Sequence, residues 1–330
     1  MPRLPWRPGA LGFRRALLQL LFVWALFGGC LLIFGQDANS ASTLTYLRAR
    51  QRPPGVAARP AWVWEIQGAH AKVWLVGCLH LGKPEDTSAF AAYLPYYREA
   101  GTVVFETLPG SWNTYEIRRL LDQRGYLQDR RTLSSVVSRS TWEKVSAVQR
   151  SRRSTLQGTA AMTPWLAAFS IVQDGYARAG LRAEDSLEGY MERAAIADGK
   201  PVGALETAKD QILAMADASA ADQEEFLKNT LESLDRLDTS TEALRSAWVN
   251  GNESRLRTAL GIDPSLARSG MHLNLIANRN SRWVARIKEL ANRKTNSFVL
   301  VGVEHLVSPP ALPDLLQQSG LKIQRLEAGK

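Results

Sequence analysis

Two histidines and one glutamate are the groups in this chain most able to do chemistry together. His80 ends an apolar run, Val73-Trp74-Leu75-Val76, through Gly77-x-x-His80-Leu81, and His305 ends Phe298-Val299-Leu300-Val301 through Gly302-x-x-His305-Leu306. Glu106 follows the next apolar run after the first histidine, Thr102-Val103-Val104-Phe105. Two neutral imidazoles and a carboxylate can hold a divalent cation with positions left open for water. They can also serve as base and orienting acid without a metal. The chain has four histidines, so two at the same offset of a duplicated pattern stand apart. His70, in a turn, and His272, near a helix start, read as surface or packing residues. Cys78 reads as a small buried residue beside the site.

The elements that must position these groups follow from the same pattern. Each short β-branched run predicts a buried strand, and Gly77 and Gly302 predict a sharp turn that brings the histidine off the sheet's rim. Beyond each histidine come Leu94-Pro95 or Leu312-Pro313, a helix-like stretch, then Gly101 or Gly320 and another strand, Thr102–Glu106 or Leu321–Gln324. Strand, helix and strand in that order make a βαβ-like unit. Arg325 stands at the second unit's end, where a counterpart of Glu106 is missing. Trp62–Ile66 and the first repeat strand predict a hairpin, Pro201–Leu205 a short strand, and about 221–236, 239–250 and 271–292 helices. The expected fold is therefore mixed α/β: a central mixed sheet built from the two repeat units at the chain ends, with a helical insertion over about 112–290. On this reading residues 1–35 are a signal or anchor, 36–60 a linker, and 61–330 a single domain.

Charge and composition narrow the function classes. The net charge is +9. Residues 1–60 hold eight arginines against Asp37, or +7, which leaves +2 for the remainder. The basic excess belongs to the N-terminal segment, and a nucleic-acid partner is not expected. Arg3, Arg7, Arg14 and Arg15 precede the 20 residues Ala16–Gly35, apolar save for Gln19. That length and flank predict a membrane-spanning helix, with the N-terminus cytoplasmic and the body in the periplasm or extracytoplasmic space. The small residues Ala38–Ala41 offer a cleavage site, after which the body would be secreted. Of the two cysteines, Cys30 lies in the apolar segment, so a bond to Cys78 is not expected.

Other familiar chemistries are absent. No Gly-x-Ser-x-Gly elbow and no His-Glu-x-x-His helix occurs. Gly77-x-x-x-x-Gly82-Lys83 has the spacing of a phosphate-binding loop, but Pro84 stands where such a loop needs Ser or Thr for magnesium.

At these residues the chain resembles the TraB/GumN/Tiki proteins, over roughly residues 62–326. The resemblance rests on Trp64-Glu65-Ile66, Val76-Gly77-x-x-His80, Phe105-Glu106, Pro164-Trp165 and Gly199–Val202 running to Leu205-Glu206-Thr207 with Gln211. Arg279-Asn280-x-x-Trp283 and Val301-Gly302-x-x-His305-Leu306 complete it. It implies a fold of the erythromycin-esterase/ChaN-like group, and His80, Glu106 and His305 match the family's functional positions. Glu206, Arg279 and Asn280, with Gly77 and Gly302, match supporting positions, where the Arg-Asn pair is expected either to act in the site or to brace the sheet. Tiki members imply a membrane-tethered, divalent-metal-dependent protease. Glu304 and Val307-Ser308-Pro309-Pro310 depart from the family's pattern around the second histidine.

The leading expectation is a membrane-anchored extracytoplasmic hydrolase, a metal-dependent peptidase acting on a peptide or envelope substrate. His80, His305 and Glu106 are its expected ligands for manganese, cobalt or zinc. The alternative is a non-catalytic haem- or metal-binding protein, or an accessory factor in envelope or exopolysaccharide assembly. As rim residues, His80, Glu106 and His305 are expected to be replaceable with little cost in burial. Glu304 is expected to point away from His305 along an extended segment.

Overall fold

The computed structural model describes residues 61–151, 157–262 and 270–326. The apolar span Ala16–Gly35, the linker and the cleavage site lie outside the described residues. No helix among the described residues is long and apolar enough to cross a membrane.

Six strands form one mixed sheet in the order β4-β3-β5-β2-β1-β6. They are β1 (Val63–Gln67), β2 (Lys72–Cys78), β3 (Thr102–Phe105), β4 (Val202–Ala204), β5 (Ser297–Gly302) and β6 (Lys322–Arg325). β1 and β2 form the expected hairpin, closed by the Gly68 amide donating to the Ala71 carbonyl at 3.0 Å. β2, β5, β3 and β4 run parallel. β6 is antiparallel to β1, which is antiparallel to β2, so β6 runs with the parallel set. Both repeat units are thus parallel strand–helix–strand segments, through α1 (Leu94–Glu99) in the first. All six residues of β5 are buried, as a strand between two parallel neighbours requires, whereas β6 alternates exposed and half-buried at the edge.

The two repeat strands lie side by side, with Gly77 opposite Val301 and Cys78 opposite Gly302, a one-residue stagger. Neither Gly77 nor Gly302 has a positive φ. Neither therefore uses the left-handed conformation that would make glycine a requirement of a turn. A Cβ on Gly77 would lie 2.8 Å from Leu306 Cδ1 and 3.0 Å from Val303 Cγ2. The glycine is needed because the second repeat packs onto the first, not because the chain turns there.

Three helices between the repeats, and two within the second repeat, matter for the site. α2 (Leu187–Ala197) begins at a Ser186 cap whose Oγ accepts from the Gly189 amide at 3.0 Å. α3 (Ala208–Ala216) is capped by Thr207, which accepts from the Asp210 amide. The expected 271–292 helix is compound: a turn at Gly270–His272, a π-helical turn Leu273–Ala277, then α4 (Asn278–Ala291). His305 lies on α5 (Glu304–Val307), and α6 (Leu312–Gln318) with Pro313 in its first turn leads to β6. The segment after β5 is helical rather than extended, which corrects that expectation for Glu304.

Candidate functional site

Four parallel strands deliver their C-terminal residues to one edge: His80 after β2, Glu106 after β3, Glu206 after β4 and His305 after β5. Open parallel sheets gather ligands at this edge. The ladder extends past the last strand residues, since the Glu206 amide donates to the Glu106 carbonyl at 2.9 Å.

Glu106 is the hub. Its Oε1 accepts from the Gly302 amide at 2.7 Å and faces His80 Nε2 at 3.5 Å and His305 Nε2 at 3.9 Å. Its Oε2 accepts from Arg279 Nη2 at 2.5 Å and from Gln211 Nε2 of α3 at 3.1 Å. Arg279 reaches Glu206 through Nε at 2.7 Å, and its Nη1 donates to the Leu275 carbonyl at 3.0 Å and to His305 Nε2 at 3.1 Å. Trp283 bonds Glu206 Oε2 at 3.1 Å, and its ring lies 4.4 Å from His305 and 4.7 Å from the Arg279 guanidinium carbon.

The two histidines are presented alike. His305 Nδ1 meets Asn280 Oδ1 at 2.6 Å, and the Asn280 amide donates to the His305 and Pro310 carbonyls. His80 Nδ1 is in close contact with Glu188 Oε2 on α2. Each ring therefore spends Nδ1 on an outer oxygen and turns Nε2 toward one oxygen of Glu106. Their environments differ in charge. Burial lowers the His80 pKa, but Glu188 and then Glu106 outweigh it and raise the imidazole to about 10. Burial and then Arg279 hold His305 well below its ordinary value, so it is neutral. Burial would raise the Glu106 carboxyl, but Arg279 and His80 overcome it and keep the group ionised.

Burial corrects the expectation of accessible rim residues. His80 is 2 % exposed, Glu106 2 %, and His305, Arg279 and Asn280 0 %. Their replacement costs hydrogen bonds inside the fold as well as chemistry. Between the two roles expected of the Arg-Asn pair, the contacts favour bracing: Arg279 ties β3 to β4, and Asn280 fixes the His305 ring. Glu304 is buried on α5, with its nearest polar partner Ser308 Oγ at 3.5 Å and Oε2 unpartnered. Burial raises its carboxyl to about 8 against the Ser308 contact. His272 is buried, with Nε2 against the Pro309 carbonyl at 2.8 Å, while His70 is exposed. Cys78 is buried with its thiol donating to the Val301 carbonyl at 3.3 Å.

The donor set fits a divalent cation. His80 Nε2 is a buried polar atom without a hydrogen-bond partner. Both Nδ1 atoms are tied to outer oxygens, the arrangement that fixes metal-binding imidazoles. Glu106, Glu188 and Glu206 set three carboxylates against the Arg279 guanidinium and that of Arg282, the latter 3.8 Å from Glu206. Among the described residues, the group of three His, Cys, Asp or Glu side chains whose ligand atoms all lie within 4.8 Å of one another is Cys78, His80 and Glu188.

Sequence reasoning did not select Glu188 as a site residue. Its only local signal is the Ser186 cap that places an acid in a helix's first turn. Gln211 and Trp283 were visible in the family's pattern but carried no role until their bonds to Glu106 and Glu206 were seen.

A model of the TraB/PrgY/gumN family matches residues 62–325. No curated protein and no solved structure matches the chain.

Proposed function

The chain belongs to the TraB/PrgY/gumN family, and from that premise we propose that it is a membrane-anchored extracytoplasmic hydrolase, a metal-dependent peptidase. The observation that carries this reading is the convergence of His80 Nε2 and His305 Nε2 on Glu106 Oε1, with each Nδ1 tied behind. His80, His305 and Glu106 would hold the cation. A divalent ion bound there lowers the pKa of a bound water and polarises a scissile carbonyl.

The chain's own groups supply the rest. Gly302 and Gln211 hold Glu106 in one orientation, so its Oε1 is available without rearrangement. His80, with Nδ1 tied to Glu188, would present Nε2 to the cation beside Glu106. Neutral His305 keeps its lone pair on the inner face through Asn280. The arginine-flanked span Ala16–Gly35 supports tethering at the membrane with the body outside, near peptide or envelope substrates.

The test is metal content and peptide-library turnover of the purified full-length chain. Stoichiometric manganese, cobalt or zinc with turnover, both lost in His305→Ala, is expected. A haem Soret band, or retained ligand without turnover, would favour the binding-protein reading instead.

A further inference from the structure

We propose that Glu188 is the positioning residue of His80: it fixes the ring's tautomer and aim, and a glycine clasp between two distant loops holds it there. Glu188 lies 108 residues from His80, yet its Oε2 meets His80 Nδ1. Three features bring it in. Gly82, two residues after His80, exchanges two backbone hydrogen bonds with Arg182, each 2.9 Å. A Cβ on Gly82 would lie 2.3 Å from the Asp185 carbonyl oxygen, and one on Gly189 would lie 2.4 Å from that of Ala183. Both glycines are thus close-approach positions, and Gly82 of the phosphate-loop lookalike acquires a reason to be there.

The third feature is the rotation of α2. Ser186 caps it, donating to the Ala183 carbonyl at 2.6 Å and accepting from the Gly189 amide. Leu187, Tyr190 and Met191 are buried around Glu188, which leaves its carboxylate directed at His80. The Glu188 side chain is 15 % exposed against 3 % for His80, so the site's outer edge runs along this carboxylate. Asn280 performs the same task for His305 with a neutral amide. The two rings are therefore aimed alike, one by a carboxylate and the other by a neutral amide.

This inference rests on the hydrolase reading only for its effect on turnover. The experiment therefore reads the ring itself, in the full-length chain with nitrogen-15 histidine. A far-downfield His80 Nδ1–H proton, assigned by its loss in His80→Ala, is expected in the parent and in Glu192→Gln. It should vanish in Glu188→Gln, which keeps the side chain's size. Gly82→Ala, which keeps Glu188 but adds the clashing Cβ, should shift it upfield. Zinc affinity and kcat should each fall about 10–100-fold in Glu188→Gln, with KM little changed. An unchanged proton resonance in Glu188→Gln overturns the proposal. If that resonance is lost but the parent turns over no peptide, Glu188 still positions His80, and the hydrolase reading is what fails.

Discussion

At the scale of single residues, chemistry and stability share the same atoms. Glu106→Gln keeps the side chain's size but halves the charge opposing Arg279, so we expect loss of turnover together with measurable destabilisation in urea unfolding. Wild-type stability with no turnover would show that the Arg279 bond contributes little. Glu304 makes a prediction with a definite sign. Its folded-state value of about 8 stands above the ordinary 4.5, so the unfolded state releases this proton first as pH rises. Stability is then lost from about 4.5 to about 8 and levels off above. Relative to the parent, Glu304→Gln should gain on the order of a few kcal/mol between pH 5 and 8. A difference independent of pH would mean that the carboxyl is hydrated. The two histidines were legible because the repeat marks them, and Glu106 because it ends a strand-like run one crossover from the first. Glu188 was not, since its pairing depends on a loop contact far along the chain.

At the scale of elements, the sheet edge is braced by one guanidinium. Arg279 is fully buried and bonded to Glu106 and Glu206 on neighbouring strand ends. Arg279→Leu leaves two buried carboxylates without their partner and should cost about 3–5 kcal/mol in chemical unfolding. A cost below about 1 kcal/mol would contradict the bracing role. Away from the site, Glu224 ties the start of Arg139–Ser151 to Ala220–Ser233. Burial opposes its charge, but bonds from Ser138, Thr141 and Lys228 pull its carboxyl to about 2. The stability it contributes is present above about 4.5 and lost as pH falls through about 2. Glu224→Gln should flatten that part of the acid-unfolding curve. The strands, the hairpin and the Pro-started helices were readable from short β-branched apolar runs and Gly/Pro punctuation. The π turn Leu273–Ala277 was not, because apolar spacing marks a helical segment without fixing which carbonyl each amide reaches. Nor was the role of Gly77, which depends on the strand beside it.

At the scale of the whole molecule, the repeat explains how residues from both ends of the chain meet. β2 and β5 lie adjacent and parallel, and the helices between them supply Glu188, Gln211 and Arg279 to the same edge. Tethering by Ala16–Gly35 would place that edge outside the cytoplasm, so a C-terminal reporter active only in the cytoplasm should stay silent. A bright reporter would reverse the topology. The central claim is that both imidazoles and Glu106 form one cation-binding centre. X-ray absorption at the metal edge of the zinc-loaded full-length chain tests it most directly. The account predicts two histidine nitrogens with carboxylate oxygen and no sulfur around the ion. A sulfur ligand, as the Cys78, His80 and Glu188 set would supply, or a single histidine, would contradict it.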